Sequence, residues 1–66
     1  MSFAENFRNA RKKSGLTQQQ VADALGLDRS SIAQYERGFS KPSFDNIAKI
    51  CSLLNVSLDE LIKFED

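Results

Sequence analysis

Arg29, Ser30, Ala33 and Gln34 lie within six residues at helical spacing, and none of them is a large apolar residue. On a helix these positions share one outward face. An arginine there can pair bidentately with guanine, a glutamine with adenine, and a small methyl group fits beside thymine. This set therefore predicts recognition of base edges in a major groove. The alternative is an ordinary solvated helix face, where polar side chains are also expected.

The segment that must position these residues, 17–38, contains two short helical patterns joined by a tight turn. The first begins with a capping box of Thr17 and Gln20 and ends at Gly26, which tolerates a positive φ. The second begins at Asp28, which can cap it, and ends at Gly38. This is the composition of a helix-turn-helix. Apolar positions that can pack inside its corner are Val21, Leu25, Leu27 and Ile32.

Three further helices are predicted around this segment, and no stretch alternates in the manner of a strand. They begin near Ser2, Ser43 and Ser57; the first and last carry a glutamate three residues on, which completes a capping box. Gly15 ends the first, and Asn55 is suited to a left-handed helix end. The fourth helix is predicted to pack through Phe44, Ile47, Ile50, Cys51 and Leu54. The pattern predicts an all-α fold of five helices.

Composition excludes several classes of protein. The chain has 66 residues, one cysteine and no histidine, so no internal disulfide and no zinc site of the usual kind is expected. A hydrophobic content of 41% is sufficient for a folded chain. No membrane span or signal peptide is recognisable, and we expect a soluble cytoplasmic protein. So short a chain can hardly enclose a water-excluding pocket, so an enzyme is not expected.

The charges are balanced overall but unevenly distributed. Up to Lys41 the chain carries seven basic and four acidic residues, a balance of +3. From Pro42 onwards it carries two basic and five acidic residues, a balance of −3. This asymmetry predicts one face for an anionic partner and another face turned away from it.

The order of the motifs resembles the Cro and phage-repressor type of helix-turn-helix domain, the XRE family, over nearly the whole chain. The resemblance implies one compact, λ-repressor-like DNA-binding domain over residues 1–66, with the helix-turn-helix at about 17–37 and the recognition helix at about 28–36. It further implies a transcriptional regulator or repressor that binds a palindromic DNA operator as a homodimer, without metal or cofactor. The matching stretches are 11–18, Val21-Ala22, Gly26-Leu27, Ser31-Ile32, Tyr35-Glu36-Arg37-Gly38, Lys41-Pro42-Ser43 and 54–61.

The resemblance also implies roles for individual residues. It assigns base reading to Asp28, Arg29, Ser30, Ala33 and Gln34. Gln18 matches a phosphate contact, which the positive end of a helix dipole favours physically. Lys41, in the loop after the third helix, is a second phosphate candidate. Arg11 and Glu36 match an internal salt bridge between the first and third helices.

Two features lie outside the family pattern or near its end. Phe39 stands where the family often has a basic or polar residue; it can stack on a sugar, pack across a dimer axis or fold back on the core, and a packing role is favoured. Leu53, Ile62 and Phe64 are apolar residues without an evident partner, so we expect them in a twofold interface. The alternative is that they complete the monomer core.

Two other functions stay open at this point. A neutral helix-turn-helix domain can serve as a protein-binding module, such as an antitoxin or a coactivator. The chain can also be the DNA-binding part of a longer regulator. Within the favoured class, the residues do not rank phage repressors, restriction–modification controllers and host regulators.

Overall fold

The computed structural model describes residues 2–62, and within this range the chain folds into helices joined by short turns and loops. The helices are α1 (Phe3–Lys13), α2 (Gln18–Leu25), α3 (Arg29–Arg37), α4 (Phe44–Leu54) and α5 (Leu58–Ile62). No strand occurs among residues 2–62. The predicted all-α architecture of five helices is therefore confirmed for these residues.

Reciprocal hydrogen bonds fix where several helices begin. The Ser2 hydroxyl accepts a bond from the Glu5 backbone N–H over 3.3 Å, and the Glu5 carboxylate accepts one from the Ser2 N–H over 3.2 Å. Such pairs satisfy backbone donors that a helix leaves unpaired at its first turn. The same pair stands before two more helices, Thr17 with Gln20 ahead of α2 and Ser57 with Glu60 ahead of α5. All three predicted capping boxes are confirmed.

The helix ends follow the sequence closely, with one exception at a helix start. Gly26, Gly38 and Asn55 end their helices with φ values of 71°, 79° and 56°, in the left-handed region as predicted. Asp28 occupies the N-cap position of α3, but its side chain makes no capping bond there. Only its backbone carbonyl accepts from Ser31, over 3.0 Å. The prediction of a side-chain cap is wrong, because this exposed carboxylate stays in solvent.

The core lies between the helices, and each of the five contributes to it. The largest fully buried side chains come from all five helices: Phe7, Ile32, Ile50, Leu61 and Val21. The Phe7 ring stacks on Phe3, with centroids 5.8 Å apart, and meets Tyr35 edge-on at 6.3 Å. Aromatic pairs at these separations add to the stability gained by burial. The core therefore supports α3 from its inner side.

Fewer apolar residues of α4 pack into the core than the sequence predicts. Ile50 and Leu54 are buried and Ile47 and Cys51 pack against the core, but the Phe44 side chain is 75% exposed. Phe44 is the first residue of α4, at the end of the helix that extends beyond the core. Its side chain follows the apolar period of the helix but has no core residue to pack against. The expectation that Phe44 belongs to the core is wrong. Within residues 2–62, no helix has the length and apolar character that crossing a membrane requires.

Candidate nucleic-acid interface

The outward face of α3 is accessible along its whole length. Arg29, Ser30 and Gln34 are exposed, Ala33 is half-buried, and Asp28 is exposed just before the helix. The opposite face is held by three buried residues, Ile32, Tyr35 and Glu36. The structure thus places Arg29, Ser30, Ala33 and Gln34 on the side of α3 that faces away from the core, with Asp28 exposed just before the helix.

The turn before α3 sets the angle of the helix-turn-helix. Val21, Ala22 and Leu25 are buried on the inner side of α2. The Leu27 N–H donates to the Ala22 carbonyl over 2.9 Å, immediately after the left-handed Gly26. Since the small Ala22 lies in this corner, α2 and α3 can approach closely. This packing fixes α3 as a projecting element.

Arg11 and Glu36 form a two-pronged ion pair between α1 and α3. Arg11 Nε lies 2.5 Å from Glu36 Oε2, and Arg11 Nη2 donates to Glu36 Oε1 over 3.1 Å. The side chains are only 12% and 4% exposed. Arg11 Nη1 also donates to the Leu16 carbonyl over 2.9 Å. Since each of its three guanidinium nitrogens bonds within the protein, Arg11 is a structural residue of this site.

Gln18 connects this ion pair to the base-reading face, a relationship that sequence reasoning missed. Its Nε2 group donates to Glu36 Oε1 over 3.1 Å, and its Oε1 accepts a longer bond, 3.4 Å, from Arg29 Nη1. The two bonds fix the orientation of the amide group, because a flipped amide would oppose donor to donor at Arg29. The signal in the sequence was the amide at the first turn of α2, but its partners lie 18 and 11 residues away.

The phosphate candidates occupy two separate elements. Gln18 is half-buried at the first turn of α2, where backbone N–H groups and the positive dipole end favour an anion. Lys41 is exposed in the loop between α3 and α4, next to the buried Pro42. The buried proline anchors this loop, so the Lys41 ammonium extends from a fixed backbone.

The end of α3 carries a second feature that sequence reasoning missed. The Arg37 guanidinium carbon lies 4.8 Å from the centroid of the Phe39 ring. The Phe39 side chain is 71% exposed, so the alternative in which it folds back on the core is wrong. The left-handed Gly38 directs the chain away from the core at this point.

Of the three residues expected in a twofold interface, the structure describes two. Leu53 and Ile62 are 36% and 38% exposed, while Phe64 lies outside the described residues. Leu53 is on the opposite side of α4 from an apolar groove of about 280 Å³ between α4 and α5. Phe44, Ile47, Ala48, Cys51 and Leu58 line this groove. Ile62, one turn after Leu58 on α5, lines a different pocket, together with Phe3, Tyr35 and Pro42.

The Cys51 thiol lies in this groove. Burial raises the pKa of Cys51, and the negative charge of Glu60 raises it further. The protonated thiol is therefore favoured at neutral pH, and the residue acts as a small apolar side chain. Among residues 2–62, no cluster of side chains suited to hold a metal ion occurs.

Comparison with known proteins agrees with this geometry. A helix-turn-helix family matches residues 7–61. The HTH-type transcriptional regulator YqaE of Bacillus subtilis is 43% identical to this chain, over 96% of this chain and 54% of its own. The cryptic phage CTXphi transcriptional repressor RstR of Vibrio cholerae is 39% identical, over 92% and 54%. The structure of the P22 c2 repressor in complex with a synthetic operator superposes with a TM-score of 0.88 at 28% identity, over 98% of both chains.

The fold and the exposed helix thus define a helix-turn-helix domain. The chain belongs to the helix-turn-helix family that matches it, the Cro and phage-repressor type to which its motifs are similar. The chain spans about half the length of the curated relatives it matches.

Proposed function

We propose that this chain acts as a sequence-specific transcriptional repressor that binds a palindromic operator as a homodimer, with α3 in the major groove. The observation that carries the proposal is the division of α3 into a buried side and an exposed polar side. A rigid helix that presents short and hydrogen-bonding side chains is suited to base edges. The P22 c2 repressor, to which this chain is similar, was solved on a synthetic operator, and this supports the same use here.

Base reading is assigned to the outward side chains of α3 and to Asp28 just before the helix. Arg29 is the longest donor and would pair with guanine O6 and N7, while the Gln34 amide suits adenine. Ala33 offers a methyl group to thymine, Ser30 bonds to several bases, and Asp28 can accept from cytosine N4. These side chains supply sequence preference.

Positioning is assigned to phosphate contacts outside α3. Lys41 supplies a mobile positive charge, and the first turn of α2 at Gln18 supplies N–H groups. Since the whole chain has a net charge of zero, electrostatic attraction to arbitrary DNA is weak. A repressor of this kind depends on base contacts for much of its affinity. Its place of action is DNA in the cytoplasm, at the nucleoid, and we propose no enzymatic step.

Dimerisation is assigned to the apolar surface of α4 and α5, with a second copy of this chain as the occupant. Phe44 and Leu58 line the groove and are 75% and 41% exposed, and Ile62, one turn after Leu58 on α5, is 38% exposed. In a dimer these apolar groups would be buried against the same groups of the second copy. Removing apolar surface from water in this way would stabilise the dimer. Of the interface residues predicted from the sequence, this assignment includes Ile62, and it adds Phe44 and Leu58. Leu53 and Phe64 remain predictions from the sequence.

Selection of bound sequences from random duplex DNA tests the proposal. We expect enrichment of an inverted repeat whose half-sites lie about 34 Å apart, since two α3 helices must enter successive major grooves. Analytical ultracentrifugation of the complex with the enriched duplex should give two chains per duplex. Recovery of no enriched sequence would overturn the function and favour a protein-binding module. A single half-site with one chain bound would overturn the dimer alone.

A further inference from the structure

The guanidinium of Arg37 lies over the exposed ring of Phe39 just beyond the end of α3. The distance from Arg37 Cζ to the ring centroid is 4.8 Å, within the range of a cation–π interaction. A phenylalanine that is 71% exposed contributes little to the core. The neighbour that its ring does contact, Arg37, therefore indicates what Phe39 does.

Backbone hydrogen bonds place the ring. The Phe39 N–H donates to the Gln34 carbonyl over 3.0 Å, and the Gly38 N–H donates to the Tyr35 carbonyl over 3.3 Å. With Gly38 at a φ of 79°, these bonds form the left-handed end motif of a helix. The Phe39 backbone is thus fixed to the last turn of α3, which holds the residue within reach of the Arg37 side chain.

Arg37 lies on the proposed base-reading side of the helix. Arg29, Ala33 and Arg37 follow one another at four-residue intervals, so they form one stripe along α3. Arg37 is about 12 Å further along the helix axis than Arg29. When Arg29 reaches base edges, a group this far along lies where the helix meets the sugar–phosphate backbone.

The charge of Arg37 is available to a ligand. Arg11 is neutralised by Glu36, but among residues 2–62 no carboxylate pairs with Arg37. Stacking occupies only one face of the planar guanidinium and leaves the N–H donors at its edge free. Those donors match the oxygens of a phosphodiester in a bidentate arrangement.

From these contacts, and resting on the proposed DNA-binding function, we propose that Arg37 and Phe39 form a stacked clamp for a backbone phosphate of the operator. Arg37 makes the contact. Phe39 is a positioning residue, which restricts the guanidinium to the orientation in which it meets the phosphate. The ligand is the phosphodiester group, so the clamp adds affinity and register without choosing a base.

Binding of the 66-residue chain to the operator duplex recovered by selection tests the clamp, with four variants and a control. Arg37→Ala should weaken binding about tenfold and reduce the slope of log K against log salt by about 0.9 for each phosphate that is no longer neutralised. Phe39→Leu should weaken it about two- to fivefold, and Phe39→Tyr, which keeps an aromatic face, should bind as the wild type does. The double variant Arg37→Ala/Phe39→Leu should bind no more weakly than Arg37→Ala. Arg8→Ala, which removes an exposed arginine from α1, serves as control.

The outcomes separate the clamp from the function on which it rests. Equal losses from Phe39→Leu in the presence and absence of Arg37 would overturn the positioning role, because Phe39 would then act independently of the guanidinium. Unchanged affinity and salt slope in Arg37→Ala would overturn the phosphate contact while the wild type still bound its operator. A wild-type chain that binds no duplex would overturn both the clamp and the proposed function. Because both side chains are exposed, thermal unfolding of the variants should match the wild type.

Discussion

The side-chain amide of Gln18 is bonded to the buried carboxylate of Glu36, with Nε2 donating to Oε1 over 3.1 Å. Glu36 also accepts two bonds from Arg11, and the Gln18 carbonyl oxygen accepts from Arg29 over 3.4 Å. A continuous series of hydrogen bonds therefore runs from a buried ion pair to the arginine proposed to read bases. One glutamine thus links the ion pair to Arg29.

The ion pair should dominate the stability of the fold. Arg11→Ala strands the buried Glu36 carboxylate, and removal of one partner of a buried pair costs about 3–5 kcal/mol. That is comparable to the whole stability of a domain this small. Urea denaturation followed by circular dichroism measures the change, with Arg8→Ala as the exposed control, expected within about 0.5 kcal/mol of the wild type. An Arg11→Ala chain that unfolds at the wild-type midpoint but binds DNA weakly would make Arg11 a phosphate contact instead.

Gln18 should act on DNA affinity through Arg29. Gln18→Met removes both side-chain hydrogen bonds while keeping the length of the side chain, so Arg29 loses its support. We expect a loss of about 0.5–1.5 kcal/mol on the operator, and a smaller effect of Arg29→Ala in this background than in the wild type. The matched control is Gln19→Met, whose amide bonds only to Asp23 on the surface of α2, over 2.8 Å. Full additivity of Gln18→Met and Arg29→Ala would show that the two residues act separately.

Lys41 should affect all DNA sequences alike. Its ammonium is proposed to meet a phosphate, which carries no sequence information. Lys41→Ala should weaken operator and non-operator duplexes by a similar factor and reduce the salt slope by about 0.9 for the one phosphate that it neutralises. Fluorescence anisotropy at several salt concentrations measures both quantities. Lys49→Ala, an exposed lysine on α4, should leave the slope unchanged; a change of base preference in Lys41→Ala would contradict the assignment.

Cys51 lines the groove between α4 and α5, so the reactivity of its thiol can report on dimerisation. Since burial raises the pKa of Cys51, its thiol is largely protonated at neutral pH. The alkylation rate should therefore rise with pH as the thiolate fraction grows, and should level off only above the ordinary thiol pKa of about 8.5. The alkylation rate at fixed pH should also fall as protein concentration rises, because a second copy covers the groove. Phe44→Ser should abolish this concentration dependence and shift sedimentation towards the monomer.

Leu53→Ser is the matched test of the other side of α4. If the groove is the interface, this variant should sediment as the wild type does. A monomeric Leu53→Ser chain beside a dimeric Phe44→Ser chain would place the contact on the opposite side of α4.

Local signals were predictable from the sequence, and contacts between distant residues were not. The capping boxes at Ser2, Thr17 and Ser57 depend on residues three apart, so their pattern is visible in one turn of chain. The exposure of Phe44 depends on where α4 extends beyond the core, which no periodicity reports. The Gln18–Glu36 bond requires that α2 and the last turn of α3 meet, and it follows only from the packed corner.

The resemblance to a family was most useful for the fold and least specific for the site. The Arg11–Glu36 pair was expected from matching positions and is present in the structure. The stacking of Arg37 on Phe39 was not, because Phe39 departs from the family pattern at that position. Individual features of this kind become visible only when side chains are placed.

The central claim, that α3 reads sequence, is tested most directly by the affinity of Arg29→Ala for the selected operator and for every single-base-pair variant of it. A bidentate arginine–guanine contact contributes about 1–3 kcal/mol of discrimination. We therefore expect Arg29→Ala to lose that amount on the operator, to become indifferent to one base pair in each half-site, and to keep the wild-type stability, since the side chain is exposed. Equal weakening on all duplexes together with a reduced salt slope would contradict the claim, and would make Arg29 a phosphate contact.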